Sequence, residues 1–149
     1  MIPIKETVDK NNEKVILYSS DSLSFTPVIP LMLRVYAEIV EKKFSLPIIT
    51  FNNSSKVVWA ERENKKVVGG ICYEYRPEVK CGWLILSFTD LDERGKGINA
   101  LVHELYESNC KKFGATHLSS YVHLNNKSRL ESLKSVGLIP YMYKTYKKL

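Results

Sequence analysis

One segment constrains the fold more than any other: an apolar run that ends in a glycine-containing turn and continues as an amphipathic helix. Residues 82–89 read G-W-L-I-L-S-F-T, and such near-continuous hydrophobicity predicts a strand buried on both faces. The turn that follows contains Gly95 and Gly97, and apolar side chains then recur at helical spacing from Ile98 to Phe113. A buried strand followed by a tight turn and a helix is typical of an α/β protein.

The rest of the chain alternates strand-like and helix-like patterns. A strand is predicted at Val15–Ser19 and a helix from Pro30 to about Phe44, where apolar residues recur every three or four positions. Further along we predict a hairpin formed by Lys56–Arg62 and Lys66–Tyr75. A strand at His117–Leu124, a short helix at Asn126–Val136 and a last strand at Leu138–Lys148 follow. The order β-α-β-β-β-α-β-α-β predicts an α/β fold, with a mixed sheet of six to seven strands flanked by helices. We expect a single domain over residues 1–149.

Composition excludes several classes of protein. Of the 149 residues, 44% are hydrophobic and 11% aromatic, which is enough for a packed core and too much for a disordered chain. Three cysteines, at 72, 81 and 110, are widely spaced and form no CxxC pair, so we expect neither a disulfide framework nor a zinc site. The three histidines add no metal-ligand spacing, and no metal is predicted. Without a long apolar run, no membrane segment is expected, and a cytoplasmic location is predicted.

Positive charge is concentrated in the last third of the chain. Residues 94–149 contain 10 basic and 3 acidic residues, a net charge of +7, whereas residues 1–93 contain 12 basic and 13 acidic residues, a net charge of −1. This asymmetry indicates contact with an anion, which a nucleic acid, a membrane surface or a phosphorylated cofactor would supply, although a charge surplus for solubility is the alternative. Only 5 of the 22 basic residues are arginine, and no nucleic-acid motif is present, so no nucleic-acid partner is expected.

The turn before the second predicted helix has the features of a phosphate cradle. Gly95 and Gly97 let backbone amides approach an anion, while Arg94 and Lys96 add charge at the positive end of the helix dipole. It is not a Walker A loop, because the lysine is followed by glycine rather than Ser or Thr. It is not a dinucleotide fingerprint, because Ala100 stands where the third glycine would be. A capping turn without a ligand is the alternative.

The sequence at this turn resembles the pyrophosphate loop of the GNAT N-acetyltransferases. Residues 94–99 read R-G-K-G-I-N, which is similar to the Arg/Gln-x-x-Gly-x-Gly/Ala pattern of that family. Downstream, residues 122–126 (V-H-L-N-N) resemble the family's fifth strand and the asparagine that opens its next helix, and Gly137-Leu138 stands at its usual Gly-Phe. The resemblance extends from about Lys56 to Leu138.

The resemblance implies a binding site for acetyl-CoA. Backbone amides of the turn would hold the pyrophosphate, at Gly95, Lys96, Gly97, Ile98 and Asn99, with Arg94 as a supporting charge. Main-chain groups at Phe88, Thr89 and Asp90 would pair with the pantetheine, and Asn126 would contact the pantetheine or phosphate arm. Lys96, Lys127 and Arg129 would screen the remaining phosphates.

Candidate catalytic residues lie at the ends of two strands. Asp90 is expected to orient the substrate ammonium or relay its proton, unless it caps the loop. His123 is the second candidate because its pKa is ordinarily near neutral, with a plain strand-end histidine as the alternative. Glu74, Tyr141 and Tyr143 are weaker candidates.

Two residues depart from the family pattern. Asn99 replaces the usual Gly or Ala, so the turn is expected to pack differently or to gain a side-chain donor. Leu133 stands where a tyrosine often acts as general acid, which leaves the acid unidentified.

The sequence thus predicts an acetyl-CoA-dependent N-acetyltransferase that acts on a small-molecule or peptide amine, with a homodimer as one possible state. A non-catalytic acyl-CoA-binding module of the same fold is the first alternative, and a basic nucleic-acid-binding domain is the second.

Overall fold

The computed structural model describes residues 1–44 and 51–140. The strands are β1 (Lys5–Val8), β2 (Lys14–Ser20), β3 (Lys56–Glu61), β4 (Val67–Arg76), β5 (Cys81–Thr89) and β6 (His117–Ser120). The α-helices are α1 (Ile29–Glu41), α2 (Ile98–Phe113) and α3 (Lys127–Ser135).

All six strands form one sheet in sequential order, β1-β2-β3-β4-β5-β6. Neighbours from β1 to β5 pair antiparallel, and β5 pairs with β6 in parallel. The parallel pair needs a crossover, which α2 supplies. The predicted α/β fold, a mixed sheet flanked by helices, is therefore confirmed.

The structure differs from the predicted elements mainly near the ends of the chain. Strand β1 was not predicted, because its sequence, K-E-T-V, is mostly polar and suits an exposed edge strand. Strand β6 ends at Ser120, four residues earlier than expected. Helix α1 stops at Glu41, and Lys43 has a positive φ of 57°, which ends the helical path before Phe44. Most of the predicted last strand, residues 141–149, lies outside the described residues.

Each face of the sheet carries its own apolar core. On one face, Val58, Ile71 and Tyr73 pack with Val102 and Tyr106 of α2. On the other, Val57, Trp59, Cys72, Met32 and Val35 form the second core, under α1. Because consecutive residues of β3 point to opposite faces, both faces of its run V-V-W-A are buried.

Strand β5 divides its contacts between these two cores and is paired on both edges over only part of its length. The pairing register with β4 shifts between Leu84 and Leu86, so Leu84 packs under α2 while Leu86 and Phe88 pack under α1. Its pairing with β6 stops at Leu84. Beyond that point, the outer edge of residues 85–89 pairs with no described strand. We call this opening between β5 and the chain after β6 the β5–β6 cleft.

The expectation that β5 is buried on both faces is met at Leu84, Leu86 and Phe88 but not along the whole strand. Trp83, Ile85 and Ser87 remain partly exposed, and only alternate residues of the strand are buried. The apolar side chains of β5 therefore pack against two helices, while one edge of its backbone stays open.

Candidate functional site

The predicted phosphate cradle is an open loop between β5 and α2, residues 91–97, which we call the glycine loop. Gly95 and Gly97 have φ angles of +80° and +82°, a left-handed conformation that glycine adopts without strain. The amides from Gly95 to Asn99 donate no hydrogen bond to any described residue. Since three of them open α2, they present unsatisfied donors at the positive end of the helix dipole.

A buried ion-pair network supports the glycine loop from below. Nη2 of Arg62 contacts Asp9 Oδ2 and Glu93 Oε2, both at 2.6 Å. Glu93 also pairs with Lys96 at 3.2 Å. Burial alone would raise the pKa of Asp9, but hydrogen bonds from Arg62 and from the amides of Glu13 and Asn11 bring it below the usual range. The network thus fixes the loop against β2 and the β3–β4 turn.

The turn between β1 and β2 also touches the glycine loop. The amide of Lys10 donates to the carbonyl of Lys96 at 3.0 Å. A β-carbon added to Gly97 would lie 3.0 Å from Cγ of Lys10, whereas one added to Gly95 would meet nothing within 4 Å. Glycine is therefore favoured at 97 by its conformation, and a side chain there would also displace Lys10.

Both positively charged side chains of the loop are already paired. The guanidinium of Arg94 donates to both carboxylate oxygens of Glu38 on α1, at 2.9 and 2.8 Å. Hydrogen bonds from Arg94 and Lys42 lower the pKa of Glu38 to about 2. With Lys96 paired to Glu93, the unoccupied donors of the loop are its backbone amides.

The strand positions expected to pair with pantetheine lie along the β5–β6 cleft. Phe88 is buried and Thr89 half-buried on the open stretch of β5. Asp90 differs, because its amide donates to Val68 and its carbonyl accepts from Glu93, both at 2.9 Å. Because main-chain groups alternate along a strand, Phe88 also directs its groups to β4, whereas Ser87 and Thr89 direct theirs to the open edge.

The Asp90 side chain is buried between two cations. Its oxygens lie 3.2 Å from Arg34 Nη2 and 3.1 Å from Lys66 Nζ. Burial alone would raise the pKa of Asp90, but the hydrogen bond and charge of Lys66, together with the charge of Arg34, hold it below its usual range. The carboxylate is ionised and bridges α1 to the start of β4.

The other predicted polar residues lie apart from the glycine loop. His123 is exposed, its Nδ1 accepts from the amide of Asn125 at 3.1 Å, and its ring lies 5.9 Å from that of Phe44. Glu74 pairs with Arg76 at 3.7 Å on β4. Tyr141 and Tyr143 lie outside the described residues.

Asn126 stands where the resemblance places it, at the start of α3. It is the N-cap residue, and its side-chain oxygen accepts from the amide of Arg129 at 3.2 Å. This bond satisfies one orphan donor of the helix. The Asn126 side-chain amide still points two N–H groups away from that bond.

Sequence reasoning missed a polar bridge that joins β5, α2 and α3. Ser87 of β5 donates to Asn99 Oδ1 at 2.7 Å, and Asn99 Nδ2 donates to Ser132 of α3 at 3.0 Å. The departure of Asn99 from the usual Gly or Ala was the signal, and its side-chain amide bonds to α3 within the protein. Its two serine partners gave no signal of their own.

Sequence reasoning also placed Arg129 among phosphate-screening residues; in the structure it is half-buried, with one guanidinium nitrogen fully enclosed. Its Nη2 and the Nε2 of His103 are buried atoms with no hydrogen-bond partner among the described residues. Nothing in the sequence distinguished this arginine from an exposed one.

Within 1–44 and 51–140, no three His, Cys, Asp or Glu side chains gather into a group that could hold a metal ion. No helix in that part of the chain is long and apolar enough to cross a membrane.

Comparison with solved structures supports the fold. A ribosomal-protein-alanine N-acetyltransferase from Brucella melitensis biovar Abortus 2308 is 14% identical with a TM-score of 0.65, covering 91% of this chain and 99% of that one. An aminoglycoside acetyltransferase from an uncultured soil metagenomic sample is 17% identical with a TM-score of 0.63, covering 89% and 97%. The BH1408 protein of Bacillus halodurans, in a tetramutant form, is 19% identical with a TM-score of 0.69, covering 90% and 99%.

Comparison by sequence identifies the family. No curated protein matches the chain. A profile of the acetyltransferase (GNAT) family matches residues 25–137, which include α1, the glycine loop, the β5–β6 cleft and α3. The match confirms the resemblance noted at the glycine loop and the prediction of an N-acetyltransferase. The chain belongs to the acetyltransferase (GNAT) family.

Proposed function

We propose that the protein transfers the acetyl group of acetyl-CoA to a primary amine. The observation that carries this proposal is the row of amides from Gly95 to Asn99, which donate to no described residue. Backbone amides at a helix N-terminus are suited to a diphosphate, because they combine free donors with the positive end of a dipole. A capping turn without a ligand would leave these donors to water.

The residues around the loop fit the rest of the coenzyme. The open edge of β5, residues 85–89, offers main-chain donors and acceptors to the two amides of a pantetheine arm. We assign the pairing to Thr89 rather than to Phe88 or Asp90, because main-chain groups alternate along a strand and those of Phe88 and Asp90 face β4. Asn126 is placed to donate its side-chain amide to the arm or to a phosphate.

When bound, acetyl-CoA supplies an acetyl thioester, which is reactive towards an amine. The chain's own contribution is to bind acetyl-CoA and to orient its thioester towards the amine. The glycine loop would hold the diphosphate, and the open edge of β5 would direct the arm into the cleft. A main-chain amide at the closed end of that edge would polarise the thioester oxygen.

The acceptor is an amine that must reach the cleft as the neutral base. Asp90 is ionised and could receive or relay the ammonium proton, although Arg34 and Lys66 already hold it. His123 lies after β6, on the chain that borders the cleft, and stays the second candidate for this task. Small amines and peptide amines both suit the proposal.

The first test measures acetyl-CoA binding by calorimetry in two matched variants. Gly97→Ala adds a β-carbon to the glycine loop, and this β-carbon meets Lys10 of the β1–β2 turn. We expect acetyl-CoA to bind at least about tenfold more weakly. Gly114→Ala introduces the same kind of strain, at a φ of +98°, at the other end of α2. It should lower stability and leave binding unchanged. Equal binding by all three proteins would contradict the assignment of the loop.

The second test separates an enzyme from a binding module. Leu133 is buried where the family often has a tyrosine, so binding without turnover is a specific alternative. Release of free CoA thiol in the presence of an amine panel, above the rate without amine, supports catalysis. Binding with no amine-dependent thiol release would favour the non-catalytic module.

A further inference from the structure

Arg129 is a half-buried arginine whose Nη2 is fully buried and which pairs with no acid in the described part of the chain. Its Nη2 has no hydrogen-bond partner in the described part of the chain, and it takes part in none of the ion pairs found there. Burial lowers the pKa of Arg129 to about 10, so the guanidinium still carries its charge near neutral pH. An unpaired buried charge is unfavourable for folding, so a contribution to stability does not account for this residue.

The guanidinium lies between α2 and α3, close to His103 and Tyr106. Ser132, three residues further along α3, hydrogen bonds with Asn99 of α2, so Arg129 shares the face that meets α2. Burial and the charge of Arg129 lower the pKa of His103, and Arg129 also acts electrostatically on Tyr106. His103 is therefore neutral near pH 7 and does not repel the arginine.

Tyr106 connects this position to the sheet. Its hydroxyl donates to the carbonyl of Gly82 at 3.0 Å. Gly82 pairs with Leu118 of β6, two residues before the pairing of the two strands stops at Leu84. Arg129 is therefore on the α2 side of the sheet, and its neighbour Tyr106 reaches the sheet at Gly82, two residues before the closed end of the β5–β6 cleft.

The following step rests on the proposed function. The glycine loop stands at the open end of the cleft, and the open edge of β5, residues 85–89, spans about 13 Å at roughly 3.3 Å per residue. An extended pantetheine arm that starts at the loop and follows this edge brings its sulfur to the closed end. The sulfur and the guanidinium would then both lie on the α2 side of the sheet, near the point where the pairing of β5 and β6 ends.

Acetyl transfer creates a negative charge at that sulfur. The amine nitrogen forms a bond to the carbonyl carbon, the carbon–sulfur bond breaks, and its electron pair stays on sulfur. The ammonium proton passes to water or to a base of the protein. A fixed cation in a water-poor site stabilises a developing charge more than bulk water does.

We propose that Arg129 is a catalytic residue whose guanidinium stabilises the sulfur of the coenzyme as it departs as a thiolate. Leu133, one turn further along the same helix face, has no proton to donate to that sulfur. A charge that does not need to transfer a proton performs the same task. This role would also explain why Arg129 has no acid partner among the described residues.

The test compares three variants with the wild-type protein. Arg129→Met removes the charge and keeps most of the length, and Arg129→Lys keeps the charge. Lys134→Gln removes an exposed positive charge from the same helix and serves as the matched control. Each protein is measured for thermal stability without ligand, for acetyl-CoA affinity by calorimetry, and for thiol release with an accepted amine.

A fourth readout does not need a known acceptor. The thiolate of bound CoA absorbs in the ultraviolet, so a pH titration gives the pKa of the bound thiol. A thiol is ordinarily half ionised at about pH 8.5. In the wild type and in Lys134→Gln we expect a lower midpoint, and in Arg129→Met a midpoint at or above that value.

Arg129→Met should be at least as stable as the wild type, bind acetyl-CoA within about twofold, and lose about 100-fold in kcat. Arg129→Lys should recover part of that rate. Loss of acetyl-CoA affinity equal to the loss of kcat/KM would overturn the inference and assign Arg129 to a phosphate. Lower stability with an unchanged thiol midpoint would overturn it and assign a structural role. Failure of the wild type to bind acetyl-CoA would instead overturn the proposed function.

Discussion

Arg94 and Glu38 form a bidentate ion pair that ties the glycine loop to helix α1. The two terminal nitrogens of Arg94 donate to the two oxygens of Glu38 at 2.9 and 2.8 Å, across 56 residues of sequence. Parallel N–H···O bonds of this kind hold the guanidinium in one orientation. The charge expected to support a pyrophosphate is thus held by a carboxylate in the protein without ligand.

The first prediction concerns coenzyme affinity. Glu38→Gln removes the carboxylate that neutralises Arg94, so the guanidinium becomes available to a phosphate. We expect acetyl-CoA to bind about threefold or more tightly at low salt, with a smaller gain at high salt, because exposed charges are screened. Calorimetry at two salt concentrations measures this. Glu41→Gln, an exposed acid on the same helix, should bind as the wild type does. Weaker binding by Glu38→Gln would mean that Glu38 orients Arg94 for the phosphate.

The second prediction is a pH dependence of stability. The pKa of Glu38 is about 2 in the folded protein and has an ordinary value of 4.5. A carboxyl with a lowered folded pKa stabilises the fold fully above its unfolded pKa and loses that contribution as the pH falls towards 2. The contribution is small, about 1 kcal/mol or less, since the pair is partly exposed. Melting temperatures of wild type and Glu38→Gln should differ by a constant amount above about pH 5 and converge below it. A gap that widens in acid would refute the assignment.

The third prediction tests Asp90. If it handles the substrate ammonium, Asp90→Asn lowers kcat more than it lowers acetyl-CoA affinity. The measurement is kcat from thiol release beside the dissociation constant from calorimetry. Arg34→Gln serves as the control, because it loses one partner of Asp90 and keeps the carboxylate. Equal losses of rate and affinity would assign Asp90 to holding α1 and β4 together.

The fourth prediction concerns the network under the glycine loop. Arg62→Met leaves the carboxylates of Asp9 and Glu93 buried without their shared cation, and removing one partner of a buried pair costs about 3–5 kcal/mol. Urea unfolding measures the loss. Arg76→Met removes an exposed arginine from β4 and should cost far less. Equal losses in both variants would show that the network adds no stability beyond a surface ion pair.

The fifth prediction concerns the protein's own thiols. All three cysteines are buried, and burial raises the pKa of Cys72 and of Cys110 to about 12. Since the thiolate is the reactive form, the native protein should react very slowly with a disulfide reagent, and all three thiols should react in denaturant. The thiol-release assay would then report coenzyme alone. A native thiol that titrates within the mixing time would contradict this expectation.

The local features of the site could be predicted from sequence because they depend on neighbours along the chain. The positive φ angles of Gly95 and Gly97 follow from a strand, a tight turn and a helix within a few residues. The cap formed by Asn126 is local in the same sense. Element types and the sheet class were predictable for similar reasons, since hydrophobic periodicity reports the face that each element buries.

What could not be predicted depends on distant parts of the chain. Glu38 meets Arg94, and Asp9 meets Arg62, only after helices and strands have packed. The burial of Arg129 runs against the usual exposure of arginine, so no residue-type rule would indicate it. The open edge of β5 is also invisible in the sequence, because a strand paired on one side and a strand paired on both have the same apolar pattern.

That open edge has a consequence for the protein when coenzyme is scarce. Unpaired main-chain groups beside an apolar strand are a template on which another polypeptide can add itself, and natural sheets usually protect such borders. A pantetheine arm laid along residues 85–89 would act as a surrogate strand and close the border. Self-association, followed by light scattering, should therefore decrease as acetyl-CoA is added, so the coenzyme would act as a solubilising partner as well as a reactant.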